Sequence, residues 1–208
     1  MSVGSWLRGG AVRTPFGPKG EPKRLNAMRF CLLDVDVTGI SIRRDKVTGV
    51  AVLPLVAGMF RVADLRYFTP AQASATPGYD GVFHPEVDAA LKDLIAGSPI
   101  VAYNAHFVRQ MIRRACPATG RAVPEDDWID LASAAGVVAR EDKELTSMGY
   151  WLEKMSAGGR RFHDATYDVF SMAQMLQALL AYCEDAGLET LESLIRLQHA
   201  RAWLRRTP

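Results

Sequence analysis

Residues 30–39 read Phe-Cys-Leu-Leu-Asp-Val-Asp-Val-Thr-Gly, and this stretch limits the fold more than any other. Its apolar run reads as a buried strand that ends in two carboxylates. Side chains at i and i+2 of a strand point to the same face, so Asp34 and Asp36 are expected side by side at the strand end. Adjacent carboxylates repel unless a cation holds them together, and hard divalent cations take oxygen ligands. The other reading of the same residues is a strand running out into a solvated turn.

The flanking chain supplies a sheet and helices around that strand. Residues 41–46 read as a polar turn. Residues 47–56 form a β-branched and aliphatic run broken by Ala57-Gly58, and 59–68 alternate as a third strand. Three strands with short connections predict an antiparallel meander. A loop follows over 69–81. Pro85 and early acids open a helix over 85–96, with Val87, Leu91, Leu94 and Ile95 inward, and Gly97-Ser98-Pro99 ends it. Residues 100–103 read as a short buried strand. Asn104 is expected to cap a helix reaching Cys116, and 117–127 to be loop. Residues 128–131 fit either a further parallel strand or the entry to a helix. A helix over 146–155 turns Leu145, Met148, Trp151 and Leu152 inward. A longer one over 165–185 has Val169, Met172, Ala173, Leu176, Leu179 and Leu180 at helical spacing. A last helix over 188–206 carries Leu191, Leu194, Ile195, Trp203 and Leu204 inward and several arginines outward. The expected class is α/β: a three-strand antiparallel meander plus parallel strands, flanked by helices, with a C-terminal helical extension.

Charge divides the chain in two. Residues 1–29 carry six basic side chains against Glu21, a net +5, and leave −3 for the remainder of a chain whose total is +2. Residues 1–28 are therefore expected to be a basic, Gly/Pro-rich arm, either draped and disordered or neutralising phosphates, and 29–208 the folded domain. Cys31, Cys116 and Cys183 include no CxxC pair and fit unpaired thiols in a reducing cytoplasm. No apolar run approaches the ~20 residues that span a bilayer, and the N-terminus lacks the apolar segment of a signal peptide. The expectation is a cytoplasmic protein without a membrane partner.

Three stretches carry candidate chemistry. The first is Asp34-Val35-Asp36-Val37-Thr38-Gly39. The second is Tyr103-Asn104-Ala105-His106-Phe107-Val108 at a strand-to-helix junction. The third is His163-Asp164-Ala165-Thr166-Tyr167-Asp168, entering the long helix. Taken alone, His163 also fits a helix-capping residue, and Asn104, His106, Phe107 and Tyr103 fit structural roles.

In order, spacing and flanks these stretches resemble the DEDDh 3′–5′ exonucleases, the family of the epsilon proofreading subunit of bacterial replicative polymerase. Its motifs look like Asp-x-Glu-Thr-Gly, His/Tyr-Asn-Ala-x-Phe-Asp and His-x-Ala-x-x-Asp. The resemblance covers about residues 29–183 and implies an RNase H-like fold. It also implies a two-cation centre, Mg²⁺ or Mn²⁺, clamping a scissile phosphate. His163 matches the general base. Asp34, Asp36 and Asp168 match metal ligands, and Thr38, Asn104 and Phe107 match substrate-contacting positions. The implied partner is nucleic acid, as single-stranded 3′ ends, with a protein partner or homodimer as a further implication.

Two departures from the pattern bear on the metal positions, and Val37 also stands where the family usually has its first Thr. Asp36 stands where the family has Glu, shorter by one C–C bond of about 1.5 Å. Val108 stands where the family has Asp, and valine has no ligand atom. One metal position is kept and the second is incomplete unless Asp64, Asp80, Asp130 or Asp164 fills it. The expected function is metal-assisted 3′–5′ exonuclease action, weak or lost. The alternative is an inactive pseudo-exonuclease that binds nucleic acid or a protein. A scaffold whose last helix docks a partner is a third reading.

Overall fold

The computed structural model describes residues 24–70, 82–122, 128–138, 148–154 and 164–204. The expected basic arm up to residue 23 lies outside them, as do His163, Asp80 and Leu145. The side chains of Leu152, Trp203 and Leu204 also fall outside the description.

The strands are β1 (Arg29–Val37), β2 (Val47–Val56), β3 (Met59–Phe60), β4 (Arg66–Phe68), β5 (Ile100–Ala102) and β6 (Trp128–Asp130). They form one mixed sheet in the order β3-β2-β1-β5-β6, with β4 also paired to β2. β1 pairs antiparallel with β2 and parallel with β5, and β6 continues the parallel side. The mixed sheet predicted from the sequence is present, with β1 at its centre.

β1 alternates between two cores. Phe30 and Leu32 pack with Ala51, Leu53, Leu55 and the long helix α6 (Ala165–Asp185) on one face. Cys31, Leu33 and Val35 pack on the other face with α1 (Pro85–Ile95) and α2 (Ala105–Ala115). The six apolar positions expected to face inward on α6 are all buried. The period-2 alternation of β1 sends Asp34 and Asp36 to the α6 side, because they continue the Phe30–Leu32 series.

The third strand is not continuous. Leu55 pairs with Phe60, but Val52 pairs with Arg66, so the chain takes up extra residues in between, in a 3₁₀ turn at Val62–Asp64. The detour lies opposite Leu53 and Pro54, and a proline has no N–H to offer a neighbouring strand. The arginine at 66 holds the turn by donating to the carbonyls of Ala63 and Leu65, each at 2.8 Å.

The expected loop after Cys116 instead begins with α3 (Pro117–Ala122). Asp88, buried in α1, accepts from the N–H groups of Ala118 at 2.8 Å and Thr119 at 2.9 Å. A capping carboxylate supplied from another helix satisfies the open N–H groups of a helix start, and nothing local in the sequence announces it. Residues 128–131 do both things expected of them: β6 runs directly into α4 (Leu131–Val138). α5 (Met148–Lys154) buries Trp151, as predicted. α7 (Leu191–Leu204) buries Leu191, Leu194 and Ile195 in the α6-side core. Those three residues are occupied within the domain, which weakens the reading of this helix as a partner-docking scaffold. Leu25 and Met28, at the end of the expected arm, are buried in the same core. All three cysteines are buried and unpaired. Among the described residues no helix is long and apolar enough to cross a membrane.

Candidate functional site

The C-terminal ends of the parallel strands open into a cleft of about 1260 Å³, larger than the ~300–1,000 Å³ usual for small-molecule sites. Such ends are where open α/β sheets place ligands. Asp34, Asp36 and Thr38 enter it from β1 and its continuation. Asn104, Phe107 and Val108 come from the start of α2, and Asp168 from the first turn of α6. The seven described candidates thus share one cleft, although they come from segments more than a hundred residues apart. Tyr67, Tyr103, Thr48, Ile40 and Met148 also line it.

Asp34 and Asp168 form an acidic pair. Burial, the Asp168 charge and the Asp36 charge together push the Asp34 carboxyl up to about 8, against a lowering hydrogen bond from the Val35 backbone. Asp168 is 6% exposed in a first helical turn, where the helix dipole favours a carboxylate.

Asp36 is held differently. Its Oδ2 accepts from the Tyr67 hydroxyl at 2.7 Å, and its Oδ1 accepts from the Ala165 N–H at 2.8 Å. It therefore ties β1 to β4 and to the start of α6. Tyr67 reaches it by lying over Gly49, where a Cβ would stand 2.1 Å from the phenol oxygen. The hydrogen bond to Asp36, then burial, pushes the Tyr67 hydroxyl up to about 12, so it stays a donor at neutral pH. Sequence reasoning missed Tyr67. Its signal was Gly49 inside a β-branched strand, which marks a close approach. Beside it, β2 carries one extra residue: Asp36 pairs with Gly49 and Val37 with Val47. A bulge of this kind re-aims side chains next to functional sites, and Thr48, the extra residue, lines the cleft.

Val108 is 2% exposed and packs in the core with Leu33, Val35 and Ala105. It presents an apolar wall to the cleft. Of the four carboxylates considered as replacements, Asp80 lies outside the described residues and the other three have partners of their own. Asp130 accepts from the N–H groups of Ala105 at 2.8 Å and Ser133 at 2.9 Å. Asp164 caps α6 by accepting from Thr166 at 3.0 Å and Tyr167 at 3.2 Å. Asp64 pairs with Arg61 at 3.2 Å. None of the three lines the cleft.

Two smaller expectations also change. Asn104 sits at the start of α2 with left-handed backbone, φ 58°, and its side chain makes no capping bond. Asp130 caps the Ala105 N–H instead, and asparagine suits the left-handed position. The Thr38 hydroxyl is engaged by the following turn: it donates to Asp45 at 3.1 Å and accepts from the Lys46 N–H at 3.0 Å. Phe107 is half-buried, with one side toward the cleft.

The donor set is oxygen-only and acidic, which suits a hard divalent cation. Among the described residues, however, no three His, Cys, Asp or Glu side chains gather as a set that would hold a metal ion. The diversion of Asp36 and the apolar Val108 leave the Asp34–Asp168 pair. The described lining contains no lysine or arginine.

No protein-family model and no curated protein matches the chain. Among solved structures, E. coli exonuclease I in complex with a dT13 oligonucleotide superposes with a TM-score of 0.56 at 13% identity, over 77% of this chain and 42% of that one. A second exonuclease I structure, presented for how processivity is achieved, gives 0.55 at 14% identity over 76% and 43%. The zinc-bound E. coli exonuclease I–ssDNA complex gives 0.51 at 16% identity over 77% and 42%. This chain spans less than half the length of these proteins. At such identities the likeness shows architecture, and this chain has the RNase H-like α/β fold seen in exonuclease I.

Proposed function

We propose that the chain is a DEDDh-type 3′–5′ exonuclease relative that takes the 3′ end of a single-stranded nucleic acid into this cleft, with phosphodiester hydrolysis weak or lost. The observation that carries the reading is the cleft itself. It holds an acidic pair, half-buried Asp34 and buried Asp168, and three aromatic side chains, Tyr67, Tyr103 and Phe107, closed on one side by Val108. Base-on-aromatic stacking contributes about 1–3 kcal/mol per base and tolerates any sequence. A phosphodiester beside Asp34 and Asp168 needs a cation between the negative groups, and Mg²⁺ or Mn²⁺ bound there would polarise a phosphoryl oxygen. In this proposal Asp34 and Asp168 hold the cation, Asp36 positions the start of α6, and His163 takes a proton from the attacking water. Phe107 and the Asn104 amide contact the strand.

The second reading, an inactive nucleic-acid-binding module, draws on the engagement of Asp36 by Tyr67 and Ala165. The first reading predicts slow release of nucleotides and the second predicts none. Perturbing even an outer partner of a metal ligand lowers activity about 10–100-fold, and losing a ligand lowers it at least as much. Release of 3′ nucleotides from an end-labelled single strand, with Mg²⁺ and with Mn²⁺, checks this. Slow turnover that His163→Ala removes supports the weak enzyme, and no turnover supports the inactive module. Turnover near ~10 s⁻¹, usual for an enzyme, overturns the weak-or-lost assignment.

A further inference from the structure

Next to the acidic cleft stands a basic ridge. It is built from the connection between β1 and β2 and from the last turn of α2. Arg43, Arg44, Lys46, Arg113 and Arg114 are all exposed. These two segments are about 70 residues apart in sequence, and Arg114 joins them by donating to the carbonyl of Ile42 and, at 3.2 Å, to that of Asp45.

Among the described residues none of the five cations forms an ion pair with a carboxylate. The acid within the ridge, Asp45, is half-buried and engaged by its own turn. Its Oδ2 accepts from the Ser41 N–H at 2.6 Å and its Oδ1 from the Thr38 hydroxyl. Gathering like charges opposes folding, yet the turn is locked in place by directed hydrogen bonds. A shallow groove of about 370 Å³ runs between Asp45, Lys46, Met111, Arg113 and Arg114, three cations to one acid.

The ridge adjoins the cleft. Thr38, on the cleft lip, donates its N–H to the Lys46 carbonyl at 3.0 Å and accepts the Lys46 N–H on its hydroxyl. The cleft presents acids to an entering strand, and directly beyond the lip the ridge presents cations that pair with no carboxylate among the described residues. We propose that the ridge binds the phosphodiester backbone of a single strand where it leaves the cleft, so that affinity depends on strand length. This rests on the reading of the cleft as a single-strand site.

The test compares the full-length wild type with the variant Arg43→Gln, Arg44→Gln, Lys46→Gln, Arg113→Gln. Arg114 is kept because it holds the turn. Binding of labelled oligothymidylates of about 4 and about 16 nucleotides, the range of single-strand site sizes, is followed by anisotropy across a salt series with Ca²⁺. Each phosphate contact contributes about 0.7 to the slope of log K against log salt for single strands. The variant is expected to bind the longer strand at least about 10-fold more weakly at low salt, with a slope shallower by about 2–3. The shorter strand is expected to bind both proteins alike. An unchanged slope and affinity on the longer strand makes the ridge a solvated face and overturns the proposal. Equal loss on both lengths overturns the separation of ridge from cleft. A wild type that binds neither strand overturns the reading of the cleft. The single variant Arg44→Gln, expected to lower the slope by about 0.7, applies the same test with less change to the surface.

Discussion

Asp34→Asn is expected to make the cation-free chain more stable at pH 9, by on the order of 2–4 kcal/mol, because the partial exposure of Asp34 screens part of the roughly 6 kcal/mol that the full shift would carry. Burial and the neighbouring Asp168 charge hold the Asp34 carboxyl near 8 in the folded chain, against an ordinary 3.8. Between those values the folded chain binds the proton that the unfolded chain has released. Stability therefore falls as pH rises from about 4 to about 8, and the penalty is complete above the folded value. Asparagine carries no charge at any of these pH values and removes the penalty. The difference between variant and wild type should be small at pH 4 and grow up to pH 9. Urea unfolding in the presence of a chelator measures it. Mn²⁺ should then stabilise the wild type by mass action and leave the variant nearly unchanged, reversing the direction of the effect. A variant less stable than wild type throughout the range would mean that the Asp34 carboxylate is already compensated inside the protein.

Val108→Asp is expected to act in the opposite direction, destabilising the cation-free chain by about 2–5 kcal/mol. The side chain is 2% exposed and packs against Leu33, Val35 and Ala105, so the new carboxylate replaces apolar contacts and has no described partner there. Mn²⁺ should restore part of the loss, because a carboxylate that reaches the cation beside Asp34 becomes compensated. Thermal unfolding with and without Mn²⁺ reads the difference. A loss that Mn²⁺ leaves untouched would show that residue 108 does not face the metal position, and the match of the second motif would fail with it.

The architecture was legible where periodicity was long or burial complete. β1 and α6 follow their apolar patterns, and the i, i+2 rule sent Asp34 and Asp36 to the face that α6 covers. The details that decide the site depend on contacts between distant segments. Asp36 could be read as an acid at a strand end, but its engagement required Tyr67, which arrives through the pairing of β4 with β2. Asp130 could be read as a spare carboxylate, but its position beside the start of α2 comes from the parallel pairing of β6 with β5. The interruption of the third strand and the helix after Cys116 have the same origin: Pro54 withholds a donor, and Asp88 supplies a cap from another helix. Local propensity carries none of this information.

The function proposed above makes this cleft half of a two-metal centre, in which Asp34 and Asp168 would hold one divalent cation and the second position would stay unfilled. Titration of the chain with Mn²⁺, followed by the loss of the free-ion electron paramagnetic resonance signal in the presence of a single strand, counts the ions directly. The account predicts one Mn²⁺ per chain, abolished by Asp168→Asn. Two tightly bound ions per chain, or one that survives Asp168→Asn, would contradict it.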